Sequence, residues 1–434
     1  MPKLADWRTI ALCGYGTLSL TSMAGMGIGG GAFFLASLLA LFSAWKRGQS
    51  PGGLLPMRAP AIASAFLFTC AVASLAFAVF FPPLGEVDVS FLALKKFHFF
   101  FLPFLIALAF YDSKQSIERN PFWFWWSGMG IACGIIASLQ FWGGFIFPDA
   151  WLSHRFFRPI IGTFGTLRYH GQGLMFFHLS FASCMSFVAA AGVARLFWPL
   201  ANESRRERLY WAAVALAGLL AVFYSFSRIA FVGLIAVCFS LAFLKRPKFG
   251  SYALLVFAVL GAFLWMKNDT FRSRFEYAKV TKSERENMWT VSWFMFEERP
   301  LTGVGFSQTG GQSPAYAEKL LGYRPLFTSH AHNNILDIMA SMGLFGLVAY
   351  FGWWFLFFAM AWKVFRASPP EERWLPAAAF AGFISFHVNG LTQVNFWDGK
   401  SQHTLMIWAG VTLALWLRLN RRDVAKSGLS REKQ

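Results

Sequence analysis

Residues 209–244 read LYWAAVALAGLLAVFYSFSRIAFVGLIAVCFSLAFL. Two apolar runs, 209–225 and 228–244, meet through Tyr224-Ser225-Phe226-Ser227-Arg228-Ile229-Ala230 almost without a loop. A helix needs roughly 17–25 apolar residues to cross a hydrocarbon core about 30 Å thick, so this stretch reads as two membrane-spanning helices set back to back. The pattern recurs along the chain. Of 434 residues, 56% are hydrophobic and 14% charged, with 52 Phe and 19 Trp, which excludes an ordinary soluble domain. The expected fold class is an all-α polytopic membrane protein.

Hydropathy divides the chain into about twelve spans. They lie near 8–26, 28–45, 60–81, 96–112, 122–145, 171–198, 209–225, 228–244, 250–266, 334–364, 376–396 and 403–419. The first pair turns at the glycine-rich segment 25–31, and the tenth is long enough to tilt or to project beyond the bilayer. Residues 1–266 therefore hold nine transmembrane helices, 267–332 one large loop, 333–419 three more helices and 420–434 a basic tail. The first stretch reads as a span, because it lacks a compact apolar core followed by a small-residue cleavage site.

Loop charge sets the orientation. Arg58, Arg119, Arg205, Arg206, Lys245, Lys363, Arg366 and the basic tail mark the cytoplasmic side, which puts both termini inside. The segments 148–170 and 267–332, which include Arg155, Arg158, Arg168, Arg285 and Arg299, then carry cations on the outer side. Long loops translocate despite such charge. A cationic cleft there would attract phosphate or pyrophosphate, although anionic lipid head groups would be attracted equally well. The run Phe122-Trp123-Phe124-Trp125-Trp126 reads as an interfacial aromatic belt.

Polar groups that could carry chemistry are few. The run His330-Ala331-His332-Asn333-Asn334-Ile335-Leu336-Asp337 stands where the large loop re-enters the membrane, followed by Gly343 and Gly346. Histidine can exchange a proton near neutral pH, and an interfacial histidine can also simply hydrogen-bond a carbonyl. Arg228 lies at or just below the interface, where it either snorkels or pairs with an anion. Ser283, with Glu286 three residues on, opens an amphipathic helix that Pro300 stops. Leu301-Thr302-Gly303-Val304-Gly305 comes next, a glycine turn read first as structural. The five cysteines all fall in apolar runs with no metal-ligand spacing, and no Asp-x-Asp pair marks the outer side. His330 and His332 are too unfavourably spaced on a helix for a two-histidine metal site. Neither a metal nor another cofactor is expected, and nothing calls for nucleic acid.

Several of these motifs together resemble the O-antigen ligase and polymerase superfamily. They are His332-Asn333-Asn334-Ile335-Leu336 with Gly343-Leu344-Phe345-Gly346, Ser227-Arg228 at the head of a span, and Arg285…Trp289 leading to Pro300-Leu301-Thr302-Gly303-Val304-Gly305. The earlier Arg158-Pro159-Ile160-Ile161-Gly162-Thr163-Phe164-Gly165 looks like the family's outer segment. Two departures stand out: His330 beside His332, and Ile229 where the family favours a small residue.

The resemblance implies a GT-C-like glycosyltransferase of the bacterial inner membrane with a periplasmic active site. Its donor is a glycan on undecaprenyl pyrophosphate, and the expected reaction is inverting and metal-independent. In that light His332 is the general base, with His330 and Asn333 as secondary candidates. Arg228 and Arg285 grip the donor pyrophosphate, and Arg158 serves that group or acceptor phosphates. The cationic outer face suits the phosphate-bearing lipid A–core as acceptor, which favours O-antigen ligation over polymerisation or transfer to protein. Transport of a lipid-linked sugar remains a reading outside catalysis, one that mid-membrane titratable groups would support.

Overall fold

The structure, a computed structural model, describes residues 4–46, 57–84, 89–113, 115–152, 154, 156–160, 168–267, 285–323 and 330–431. It is built of helices, and among the described residues the one strand-like pairing is the bridge between Pro159 and Tyr169. Nine helices among the described residues are long and apolar enough to cross a membrane. They are Met23–Ser43, Arg58–Phe80, Phe91–Tyr111, Phe122–Phe141, His178–Phe197, Arg205–Ser225, Arg228–Lys245, Pro247–Lys267 and Asn334–Ala367. The protein is thus a multi-pass membrane protein.

Three of the twelve expected spans fall on helices outside that set. Leu4–Leu18 and Trp374–Asn389 have only 15 and 16 residues. Gly399–Arg431 opens on Ser401, Gln402, His403 and Thr404, all buried. It packs against Leu102–Tyr111, Asn334–Ala367 and Trp374–Asn389, so its polar groups meet protein where lipid would reject them.

The first turn lies elsewhere than hydropathy suggests. The chain breaks at residues 19–22, where Ser19 Oγ donates to Gly16 O at 2.7 Å and Thr21 Oγ1 to Leu18 O at 2.7 Å. The glycines of 25–31 sit inside the Met23–Lys46 helix. Gly29 acts there by packing, since a Cβ would stand 3.1 Å from Leu18 and 3.2 Å from the Tyr15 backbone, while Gly27 and Gly31 face open space. The aromatic run at 122–126 also divides. Phe122, Trp123 and Trp126 share one face of the helix and are buried with Trp374 and Trp408. Phe124 and Trp125, on the other face, are 60% and 53% exposed and keep the belt position.

At the end of the bundle away from His332, charged pairs lock neighbouring helices together. Arg418 holds Glu118 through two hydrogen bonds of 2.8 and 2.7 Å, and Arg422 holds Glu372 through two of 3.0 Å. Arg195 pairs with Glu203 at 3.0 Å, both buried. Forked pairs of this kind specify alignment more than they stabilise. The helix carrying Arg418 and Arg422 runs on to Arg431, so the basic tail continues it.

Candidate active site

Three breaks in regular structure build the site at the other end. The first is the turn between Arg205–Ser225 and Arg228–Lys245. Phe226 takes a left-handed conformation (φ 55°), and Ser227 occupies the cap position without a side-chain cap bond. Arg228 is thereby the first residue of its helix, where the guanidinium and the positive end of the helix dipole coincide.

The second break is the large loop, which is folded. A helix over 285–298 and the Thr309–Leu321 helix bury Val291, Met295, Val304, Tyr316 and Ala317 against Ala340. The first of these helices ends ahead of Pro300, as expected. Ser283, the expected cap of this helix, lies outside the described residues. Arg299 donates to Phe81 O and, at 2.7 Å, to Pro82 O, which ties the loop to the end of the Arg58–Phe80 helix.

The glycine turn then meets the third break. Asn334–Ala367 is kinked at Gly343, with φ 62° and ψ −159°. Residues 300–305 lie directly on that kink. Val304 N donates to Ala340 O (2.8 Å), Gly305 N to Ser341 O (3.1 Å) and Leu344 N to Pro300 O (2.7 Å). The approach is reciprocal: a Cβ at Gly303 would stand 2.4 Å from Ser341 C, and one at Gly343 2.3 Å from Leu301 C. The Gly-x-Gly motif is thus a backbone clamp that fastens the loop to the helix.

His332 itself has φ 48°, an uncommon conformation for a residue with a side chain. The turn leads into Asn333, which caps the helix by accepting from Ile335 N and Leu336 N at 2.9 and 3.2 Å. Asn333 Nδ2 also donates to Leu391 O at 3.1 Å. His332 Nδ1 and Gln393 Oε1 are 3.2 Å apart. That bond places the proton on Nδ1 and leaves Nε2 as the acceptor. The rings of His330 and His332 lie 4.6 Å apart and are tilted by 48°. Because the chain turns here before the helix begins, helical spacing does not separate them.

Burial pushes the His332 imidazole below the usual histidine range, helped by His330 and Arg285, while Gln393 and Asp337 oppose the shift. Burial also lowers His330, with Lys96 adding to the effect and Asp398 opposing it. Arg285 is the link in the site: its charge acts on His332 and also on Arg228. These three expected residues, with His330 and Asn333, come together. The Arg158 guanidinium lies 6.0 Å from the centre of the Phe177 ring, which Lys400 approaches at 5.4 Å, and the Arg158 carbonyl accepts from the N–H of His170, whose ring bonds Ser225 O ahead of Arg228. The Gly162–Gly165 part of its motif lies outside the described residues.

Other members of the site were not foreseen. Gln393, Asn395 and Asn389 fall in the expected span 376–396, but the helix there ends at Asn389 and 390–398 is irregular and mostly buried. Asn334 staples that loop: Nδ2 donates to Asn395 Oδ1 at 2.6 Å, and Oδ1 accepts from Asn395 N at 3.0 Å and Phe396 N at 3.2 Å. Amides clustered late in an apolar run were the available signal, since lipid does not tolerate them. Lys96 donates to Ser307 at 2.8 Å, and Thr309 donates to Asp337 at 2.9 Å. His170 and His178, whose rings stack at 4.0 Å, gave no sequence signal. Among the described residues no group of three or more His, Cys, Asp or Glu is placed to hold a metal.

The fold and this site define a membrane-embedded protein with a half-buried histidine and two arginines at one end of a helical bundle. Residues 212–351 match the family model described as O-antigen ligase, Wzy_C. The matched segment contains Arg228, Arg285, His330, His332 and Asn333; Arg158 and Gln393 lie outside it. No curated protein matches the chain.

One prediction tests the internal wiring of the site. If His332 is the base that the resemblance implies, Gln393→Leu removes the acceptor on Nδ1 and lowers the rate of the reaction about tenfold or more through loss of that tautomer. Because that bond favours the charged imidazole, its loss also moves the acid limb of the pH–rate profile to lower pH. A rate loss without movement of the limb would make Gln393 merely structural.

Proposed function

We propose that the protein is an O-antigen ligase, transferring glycan from undecaprenyl pyrophosphate to a sugar hydroxyl of lipid A–core. The observation that carries this reading is the convergence of His332, Arg285 and Arg228 inside the family-matching segment. Neutral His332 takes the acceptor hydroxyl proton on Nε2 as the oxygen attacks the anomeric carbon. The bond from that carbon to the pyrophosphate oxygen breaks, and the leaving group departs with the electron pair. Arg228 and Arg285 offset the charge that builds there, a task that suits the planar guanidinium fork. A single displacement inverts the anomeric centre, and His332 returns its proton to water. No step calls for a metal.

Orientation and acceptor are argued from charge. Arg205, Arg206, Lys245, Arg246 and Arg366 all lie at helix ends remote from His332, which by the positive-inside rule turns the site toward the periplasm. Lys95, Arg158, Arg168 and Lys400 around the near end suit an acceptor rich in phosphates, which supports ligation over polymerisation. The titratable His387 and His403 within helices are each paired with a tyrosine, at 3.2 and 2.8 Å. His387 lies two residues before Asn389 and His403 four after Gly399, the helix ends that flank the loop of Gln393.

Complementation of a ligase-deficient, polymerase-proficient Gram-negative host tests the proposal. Wild type restores the core-linked lipopolysaccharide ladder on a gel and depletes the carrier-linked polymer. A protein that leaves this host bare yet extends chains in a polymerase-deficient host would be a polymerase.

A further inference from the structure

Between the turn that carries Arg228 and the loop that carries Gln393 lies a narrow cleft lined by Ser183, Ser227, Ile229, Asn389, Gln393 and Asn395. It is small, with room for about one water-sized group and none for a sugar ring. Its walls mix amides and hydroxyls with the apolar Leu179, Ile229 and Ala230, and hold no charge. Ser183 and Asn395 already bond each other at 3.5 Å, and Asn395 also donates to Phe386 O at 2.9 Å. Asn389 differs. Its side chain is buried, with 4% of the residue exposed, yet among the described residues neither Nδ2 nor Oδ1 has a hydrogen-bond partner. A buried carboxamide left wholly unpaired is costly and calls for an occupant.

The cleft's neighbours say what that occupant is. One flank is Ser227 and Ile229, on either side of the arginine assigned to pyrophosphate. The other is Gln393, which holds the assigned base. The sugar bonded to the pyrophosphate must lie between those two groups, because its anomeric carbon is both the point of attack and the point of departure. We propose that the cleft is a subsite for one small neutral polar substituent, a hydroxyl or an acetamido oxygen, on that first donor sugar, with Asn389 reading it as donor and acceptor. This inference rests on the ligase reading. It makes Asn389 a specificity residue for the proximal sugar, separate from the charges that hold the lipid pyrophosphate. Gly233 leaves room for this side chain: a Cβ there would stand 2.7 Å from Asn389 Oδ1 and 2.8 Å from Ser385 Oγ.

The test compares binding of two lipids to the full-length protein in nanodiscs: undecaprenyl pyrophosphate, and the same lipid carrying one N-acetylhexosamine. Asn389→Ala weakens binding of the sugar-bearing lipid about tenfold and leaves the sugar-free lipid unchanged. Asn389→Leu, similar in size and relieved of the unpaired amide, gives the same selective loss and keeps the test open where the alanine variant does not fold. Variants that bind both lipids as wild type does, with only a change in thermal stability, would show that the cleft holds a structural water and overturn the proposal. Equal loss for both lipids would overturn it too. Arg228→Ala separates the two levels of inference. If it weakens both lipids while the Asn389 variants are silent, the ligase reading survives and the subsite falls. If wild type binds neither lipid, both fall.

Discussion

His332→Ala lowers the rate of glycan transfer by about 10²–10⁴-fold, the range expected when a positioned general base is removed. A thousandfold within that range corresponds to about 4 kcal/mol of transition-state stabilisation. On the proposed assignment the loss falls on the rate, with donor affinity retained, because Arg228 and Arg285 would still hold the pyrophosphate. Wild type also shows an acid limb in its pH–rate profile. On the proposed base role the working form is the neutral imidazole, so activity is expected to fall as pH drops through the pKa of His332. Burial, His330 and Arg285 put that point below the ordinary histidine value. The limb vanishes in His332→Ala. His330→Ala removes one of the groups that depress His332, so it moves the limb to higher pH and keeps most of the rate. The measurement is in vitro transfer across pH with purified donor and acceptor, beside membrane levels of each variant. Normal transfer by His332→Ala would end the base assignment, and loss confined to His330→Ala would move it two residues upstream.

Gly343→Ala abolishes transfer as completely, by a different route. Its backbone, at φ 62° and ψ −159°, lies in a region that glycine alone occupies readily. The added Cβ would meet Leu301 C, Leu301 O and Thr302 N at 2.3, 2.4 and 2.5 Å. All three are backbone atoms of the docked loop, so none can swing aside. Strain and overpacking together cost about 3 kcal/mol or more, enough to lift residues 300–305 off the kink. Arg285 then loses the position from which its charge acts on His332 and Arg228. Limited proteolysis detects the change as new cleavage within 285–323, with the membrane helices still folded. Gly352→Ala, lower on the same helix with open space around its Cβ position, is silent in both assays. A Gly343→Ala protein with an uncut loop and normal transfer would show that the clamp is dispensable.

These effects also explain what could be read from the chain. Arg228 was legible because one charge in 36 otherwise apolar or polar-neutral residues of 209–244 has to be accommodated. His332, Arg285 and the glycine turn were legible as an ordered set of motifs. Hydropathy located the long spans because lipid enforces it. It located poorly what lipid does not touch. Leu4–Leu18 and Trp374–Asn389 are short, and Gly399–Arg431 is polar where it is covered by protein. A glycine-rich run suggests a chain break, but here Gly29 lets the helix face approach Leu18 and Tyr15, and the turn lies at 19–22. Gln393 and Asn389 were hidden inside an apolar average. Only the folded chain shows that the helix stops at Asn389 and that Asn334, 61 residues away from Asn395, pins the irregular loop beyond the helix end.

The reciprocal glycines have a consequence for anyone recombining such proteins. Residues 300–305 and 340–345 interlock main chain to main chain, so neither half tolerates a foreign partner whose backbone takes another path. A chimera that imports a relative's loop to change acceptor preference must import the matching kinked helix with it. Exchanged alone, the loop would arrive with no seat, while the two exchanged together form one inheritable cassette.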